Sequence, residues 1–248
     1  MISIKSPREI ELMRIAGKIV AETLELMKES IRPGITTLEL DTLAEAHIRK
    51  SGGIPAFKGY NGFPASICSS VNEQVVHGIP GSTVLNDGDI IGIDIGAVYE
   101  GYYGDAARSF GIGHISDDLK KLLRVTEESF FEGIGYALEG NRLSDISSRI
   151  QKHVEANGFS IVRDFVGHGI GTGMHEEPQI PNYGPPNKGP RLVAGMALAI
   201  EPMVNLGRYP VKVLKDGWTV VTADGKPSAH YENTIVITKG KPEILTLL

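Results

Sequence analysis

Ile90 to Phe110 reads I-I-G-I-D-I-G-A-V-Y-E-G-Y-Y-G-D-A-A-R-S-F. Side chains alternate across a strand, so Ile91, Ile93 and Ile95 share one face while Ile90, Gly92, Asp94 and Gly96 share the other. The first face is core. The second sets one carboxylate between two residues without side chains, which leaves open space beside it for metal or substrate. A reversal with Tyr99-Glu100 as a two-residue turn predicts that Asp94 lies opposite Asp105. Cross-strand neighbours have Cβ atoms about 4.5–5.5 Å apart, and like charges there destabilise the pair, so something positive is expected between them. A longer loop around Gly101 would shift that pairing, because neither Tyr99 nor Glu100 favours the positive φ of common two-residue turns. A solvated hairpin would simply turn both aspartates to water, but an opposite face made of isoleucine argues for burial.

The 248 residues, 41% hydrophobic, suffice for one large domain or two tightly fused halves. A net charge of −5 disfavours nucleic-acid binding as the main function, since that requires clustered cations. The single cysteine, Cys68, cannot form an internal disulfide and suits a reducing compartment. The amino terminus lacks the apolar run of a signal peptide, and no stretch approaches the length of a membrane span. A cytoplasmic protein without a membrane partner is the expectation.

Outward from the hairpin, the chain divides into two similar runs. Ser6-Pro7-Arg8-Glu9 combines a capping serine, proline at the first helical position and a glutamate three residues after the cap. It predicts a helix ending before Pro33-Gly34. Thr36 with Glu39 repeats the capping box and opens a second helix to about Lys50. Loops and short strands follow from Phe57 to Ile79. After the hairpin, Ser116 opens a helix to about Ala137, and Ser144 opens another that Asn157-Gly158 closes. Strands are expected at Ser160 to Val166, Met196 to Glu201, Trp218 to Thr222 and Thr234 to Thr238. Helix, helix, strands occurs twice at a nearly constant offset, a pattern of internal duplication, and Glu201 falls where the first run carries Asp94.

Polar residues in apolar settings mark a site. Glu201 ends A-L-A-I-E-P-M and Glu232 lies in H-Y-E-N-T-I-V-I. A carboxylate in such a strand must be paired, metal-bound or neutralised. His168 sits in V-G-H-G-I-G-T-G just after an apolar strand. A phosphate-cradling glycine loop would lead directly into a helix, whereas this one leads into M-H-E-E-P-Q-I-P-N-Y-G-P-P. Cys68, in S-I-C-S-S-V, reads as a small buried thiol rather than a nucleophile. Four carboxylates and one histidine are too oxygen-rich for structural zinc. They suit manganese, iron(II) or cobalt, with zinc also accommodated. Four carboxylates are also enough to bridge two ions, and a two-ion centre points to hydrolysis.

Asp94, Asp105, His168, Glu201 and Glu232, in the contexts I-D-I-G, G-D-A-A, G-H-G-I-G, I-E-P-M and Y-E-N-T, resemble the ligand motifs of type I methionine aminopeptidases. Agreement extends through K-G-Y-N-G-F-P, V-N-E-Q-V-V-H-G-I-P, H-E-E-P-Q-I-P-N-Y-G and D-G-W-T-V-V-T-A-D-G. The resemblance implies an α+β pita-bread fold with pseudo-two-fold symmetry, a curved antiparallel sheet carrying two helix pairs on its outer face. It implies a single catalytic domain over 1–248, with halves of roughly 1–112 and 113–248. It also implies two divalent ions, with Asp105 and Glu232 bridging, Asp94 completing one, and His168 and Glu201 the other. Glu201 would act as general acid/base, His77 would meet the scissile amide, and His175 the substrate carbonyl and tetrahedral intermediate. The methionine pocket would be lined by Tyr60, Phe63, Cys68 and Trp218, with Phe57 near its edge and Met174 where the family commonly has an aromatic residue.

The activity so implied is removal of the initiator methionine from peptides and nascent proteins, by a monomer acting near the ribosome. Prolidases and aminopeptidase P carry the same ligands but usually an additional amino-terminal domain, for which a first helix at Ser6 leaves no room. Type II enzymes carry a helical insertion that the tight run from Glu201 to Glu232 does not accommodate. A metal-free binding protein on this fold would have lost ligands, and all five are present.

Overall fold

The structure, a computed structural model, describes residues 2–248. Four helices appear, the first three starting where the capping signals place them: α1 Pro7–Ser30, α2 Thr37–Lys50, α3 Asp117–Ile134 and α4 Leu143–Ala156. Ser6 Oγ accepts from Glu9 N at 3.4 Å while the Glu9 carboxylate accepts from Ser6 N at 2.7 Å. Thr36 and Glu39 do the same for α2. The start of α4 differs from expectation. Arg142 is its N-cap residue and its N–H is held by the Asp145 carboxylate at 2.9 Å. Ser144 lies inside the first turn, and its hydroxyl accepts from Lys188 N.

The long hairpin consists of strands Ile90–Tyr99 and Tyr102–Gly111. Ile91, Ile93 and Ile95 are fully buried, packed with Val20, Leu24 and Met27 of α1 and Leu40, Ala44 and Ile48 of α2. Each such side chain contributes about 1.5–3 kcal/mol on burial, and their common face leaves Asp94 pointing to the opposite side of the sheet. The other edge of Ile90–Tyr99 pairs with Ile67–Val71, which sets Cys68 beside Asp94.

The hairpin register corrects the expected facing aspartates. Tyr99 pairs with Tyr102, so Glu100-Gly101 is the turn, and Asp94 pairs with Ala107 while Asp105 pairs with Gly96. Glu100 (φ +46°) and Gly101 (φ +83°) both take the positive φ that a two-residue turn of matching twist requires. Asp94 and Asp105 are therefore diagonal neighbours on one face, within mutual reach but not directly opposed.

In the second half, α3 and α4 cover a five-stranded antiparallel sheet in the order Glu243–Ile244, Asn233–Val236, Ala197–Ile200, Gly167–Gly169, Glu176–Ile180. The expected strand from Ser160 to Val166 is reduced to Ser160–Ile161, and the next strand begins at Gly167. A ladder joins the halves. Glu232 N donates to Ala107 O at 2.9 Å. Asp105 N donates to Thr234 Oγ1 at 3.0 Å, and that hydroxyl donates to Asp105 O at 2.9 Å. Ser109 Oγ completes the run by donating to His230 O and accepting from His230 N, both at 2.9 Å. Helix, helix, strands thus occurs twice, with the two sets of strands sewn together beside the aspartates. No helix among the described residues is long and apolar enough to cross a membrane.

Candidate metal centre

The ladder positions the site. Asp94 and Asp105 project from the hairpin, and Glu232 arrives from across the seam with its carbonyl fixed by Arg108 Nη1 at 2.5 Å. That guanidinium also donates to Asn233 Oδ1 at 2.7 Å and lies 4.2 Å from the Tyr231 ring centroid. Glu201 follows the strand Ala197–Ile200, and His168 occupies the neighbouring strand. His168 Nδ1 donates to Gly169 O at 2.9 Å, which leaves Nε2 with its lone pair. Nε2 stands 3.7 Å from both Asp105 Oδ2 and Glu201 Oε1.

These groups form one cavity of about 250 Å³. Its wall contains every residue singled out from the sequence: Asp94, Asp105, His168, Glu201 and Glu232 at one end, with Phe57, Tyr60, Phe63, Cys68, His77, Met174, His175 and Trp218 around the rest. Asn61, not anticipated, joins them; its positive φ of +49° in a tyrosine–asparagine–glycine turn is the only local signal for it. His230, which does not line the cavity but whose ring reaches Glu201 and Glu232 from behind it, was also missed; it ends the strand Ser228–His230, two residues before Glu232. Ligand-capable atoms of Asp105, His168 and Glu232 lie within 4.8 Å of one another, and so do those of Asp94, His230 and Glu232.

The electrostatics demand a cation. Asp94 Oδ1, Asp105 Oδ1 and Glu232 Oε1 are buried without a hydrogen-bond partner. Burial raises the Asp94 carboxyl to about 7. Burial, with Glu232 and then Asp94 close by, lifts Asp105 well above the carboxylate range. Burial acts likewise on Glu201, where Asp105 adds to it, and on Glu232, where Glu201 does. Unpaired buried charge is costly, and a divalent ion is the partner this oxygen-rich set fits. Cys68 is a buried thiol that burial and Asp94 push well up, so it is not a nucleophile.

The remaining wall is apolar and ordered. Phe63 and Trp218 meet edge to face with centroids 5.1 Å apart, and the Asp216 carboxylate fixes the turn before Trp218 by accepting from Trp218 N and Thr219 N at 2.9 Å. His77 adopts a left-handed φ of +59°, unusual for a residue with a side chain. Its ring stands edge-on to Phe165 and Trp218, and burial, then His175, hold it down at about 4, hence neutral at pH 7. Tyr60 Oη and His175 Nδ1 are 2.8 Å apart. Of the two glycines flanking Asp94, Gly96 makes room for protein rather than for metal or substrate. A Cβ at Gly96 would lie 2.7 Å from the Phe57 ring, whereas one at Gly92 would meet nothing closer than Ser109 Oγ at 3.5 Å, an ordinary contact.

A buried carboxylate and imidazole cluster opening onto an aromatic pocket, on two helix pairs and antiparallel strands, defines a metal-dependent hydrolase of the pita-bread fold. The model of metallopeptidase family M24 matches residues 11–239, and the chain belongs to that family. It is 64% identical to the methionine aminopeptidase of Clostridium perfringens over 248 residues, covering 100% of each. The crystal structure of methionine aminopeptidase from Thermotoga maritima, 49% identical, superposes with a TM-score of 0.99 over 100% of both chains. Within the family the chain therefore stands among the methionine aminopeptidases. A prolidase from Pyrococcus horikoshii shares the fold with a TM-score of 0.80 at 23% identity, covering 98% of this chain and 63% of that one.

Proposed function

We propose that the chain removes the amino-terminal methionine from peptides and nascent proteins whose second residue is small, by adding water across the first peptide bond. Two divalent ions would be held by Asp94, Asp105, His168, Glu201 and Glu232. When bound, such ions polarise a carbonyl and make water a nucleophile at neutral pH. The observation that carries this reading is the single cavity whose polar end holds the orphaned carboxylate oxygens and whose other walls are aromatic and apolar. Glu232 belongs to both ligand groups, which supports two ions rather than one.

The protein's own groups supply the rest. The Glu201 carboxylate takes a proton from the attacking water and passes it to the departing amine as the C–N bond breaks. His77, neutral and held against Trp218, donates a hydrogen bond at the scissile amide. His175, oriented by Tyr60, stabilises the oxygen that gains charge. Phe57, Tyr60, Phe63, Cys68, Met174 and Trp218 receive the methionine side chain, whose thioether makes favourable contacts with aromatic rings. The same reading has the chain work as a cytoplasmic monomer on products of the ribosome.

Turnover of Met-Ala-Ser should vanish in chelator-treated protein and return with cobalt, manganese, iron(II) or zinc. Full turnover without metal would sink the proposal. Preferential cleavage of X-Pro bonds after residues other than methionine would transfer the chain to prolidase-type chemistry.

A further inference from the structure

His230 is the one ligand-type side chain at the site that the five expected ligands leave without a role. It is 3% exposed, and its Nε2 has no hydrogen-bond partner. That nitrogen stands 3.8 Å from Glu201 Oε2 and 3.8 Å from Glu232 Oε2. These gaps are too long for hydrogen bonds. The gap to Glu232 suits two atoms coordinated by one ion, since ligands each about 2.1 Å from a metal lie up to about 4.2 Å apart, and the ligand atoms of Asp94, His230 and Glu232 all lie within 4.8 Å of one another. His168 bears the same relation to the other side of the cluster, 3.7 Å from Asp105 and 3.7 Å from Glu201. Glu201 is thus flanked by one imidazole at each oxygen.

The backbone makes this placement deliberate. Ser109 pins both the N–H and the carbonyl of His230. The nitrogen so delivered is orphaned, a costly state for a buried polar atom unless something completes it.

We propose that His230 Nε2 is a ligand of the divalent ion shared by Asp94 and Glu232, so that each ion of the centre carries one imidazole. The assignment rests on the two-ion reading above and extends it, because that reading gives this ion oxygen ligands alone. An imidazole replaces a harder oxygen donor there, which favours borderline metals such as cobalt, iron(II) and zinc over magnesium or calcium.

The test is a long-range nitrogen–proton correlation spectrum of the full chain, with ¹⁵N-labelled histidine, at zero, one and two equivalents of zinc. The expected result is two imidazoles with metal-bound nitrogens at two equivalents, one of which disappears in His230→Gln. Titration calorimetry should show one of the two equivalents at least about tenfold weaker in that variant, the minimum effect of disturbing even an outer group of a metal site. A single bound imidazole, or a His230 Nε2 that carries a proton in the loaded protein, overturns the proposal alone and makes the residue a hydrogen-bond donor to Glu201 and Glu232. The count of bound imidazoles in the wild-type protein decides between these outcomes even if the variant fails to fold. Wild-type protein that takes up no zinc overturns the two-ion reading together with this one.

Discussion

The two halves bring carboxylates to the same cavity by different means. In the first, Asp94 and Asp105 sit on two ten-residue strands joined by a two-residue turn, so one register fixes both and a wall of buried isoleucine holds that register. In the second, Glu201, Glu232 and His168 come from or adjoin strands of three or four residues. Short strands have little pairing of their own, and side-chain bonds across the seam make up the difference: Thr234 to Asp105, Ser109 to His230, Arg108 to Glu232. Precision is internal to one half and borrowed by the other.

The largest effect should come from removing a group on which both halves converge. Asp105→Asn should lower turnover of Met-Ala-Ser at least about hundredfold, since metal polarisation is worth several kcal/mol and each 1.4 kcal/mol is about tenfold. The metal-free protein should nevertheless be no less stable than wild type at neutral pH. A carboxyl whose folded pKa is raised subtracts stability as pH climbs above its unfolded value of 3.8, and asparagine removes that penalty. Thermal melts of both metal-free proteins across acidic to neutral pH check the sign. A variant that melts lower throughout would show that Asp105 is structural.

The next pair tests how each half is held. Ile93→Ala, in the hairpin wall, should cost about 2–5 kcal/mol in urea unfolding. Thr234→Val should cost about 2 kcal/mol by orphaning Asp105 N and O, but it should weaken zinc uptake more than Ile93→Ala does, because it releases the seam directly behind a ligand. Equal losses of zinc affinity would erase the distinction between the halves.

Legibility divided along a different line, between local and long-range determinants. That Asp94, Asp105, Glu201 and Glu232 would gather at one cavity was readable because an unpaired carboxylate in an apolar strand is expensive wherever it occurs, and both capping boxes in the first half were readable because their bonds are local. The register was not. It depends on Glu100 accepting a positive φ that its residue type disfavours, and long-range pairing overrode that preference. The cap of α4 was misplaced for a related reason, since Asp145 reaches back to the Arg142 backbone while Ser144 is taken by a distant loop. His230 was hidden because its strand ends there and the chain reaches Glu232 only after leaving it. Which protein group fills the gap above Gly96 was beyond local sequence, because Phe57 arrives there from a distant part of the chain.

Gly96→Ala probes that gap at smaller cost. The added methyl must displace the Phe57 ring and Ala56, an overpacking penalty of about 1–3 kcal/mol. Because Phe57 lines the pocket, the change should raise KM for Met-Ala-Ser more than it lowers kcat. A fall in kcat at unchanged KM would mean that the ligand end, not the side-chain pocket, had moved.

The smallest change acts on the turn itself. Glu100 is exposed at φ +46°, a conformation that costs most residues with a side chain about 1 kcal/mol and that asparagine tolerates well. Glu100→Asn should therefore raise the urea midpoint, by a stability gain of up to about 1 kcal/mol, with kcat/KM unchanged. The unchanged rate is the informative half of the result. The wild-type register already places Asp94 diagonal to Asp105 despite an unfavourable turn residue, so the isoleucine wall must impose the register and the turn must follow. Stabilisation accompanied by a changed rate would reverse that order, making the turn the element that sets the distance between the two aspartates.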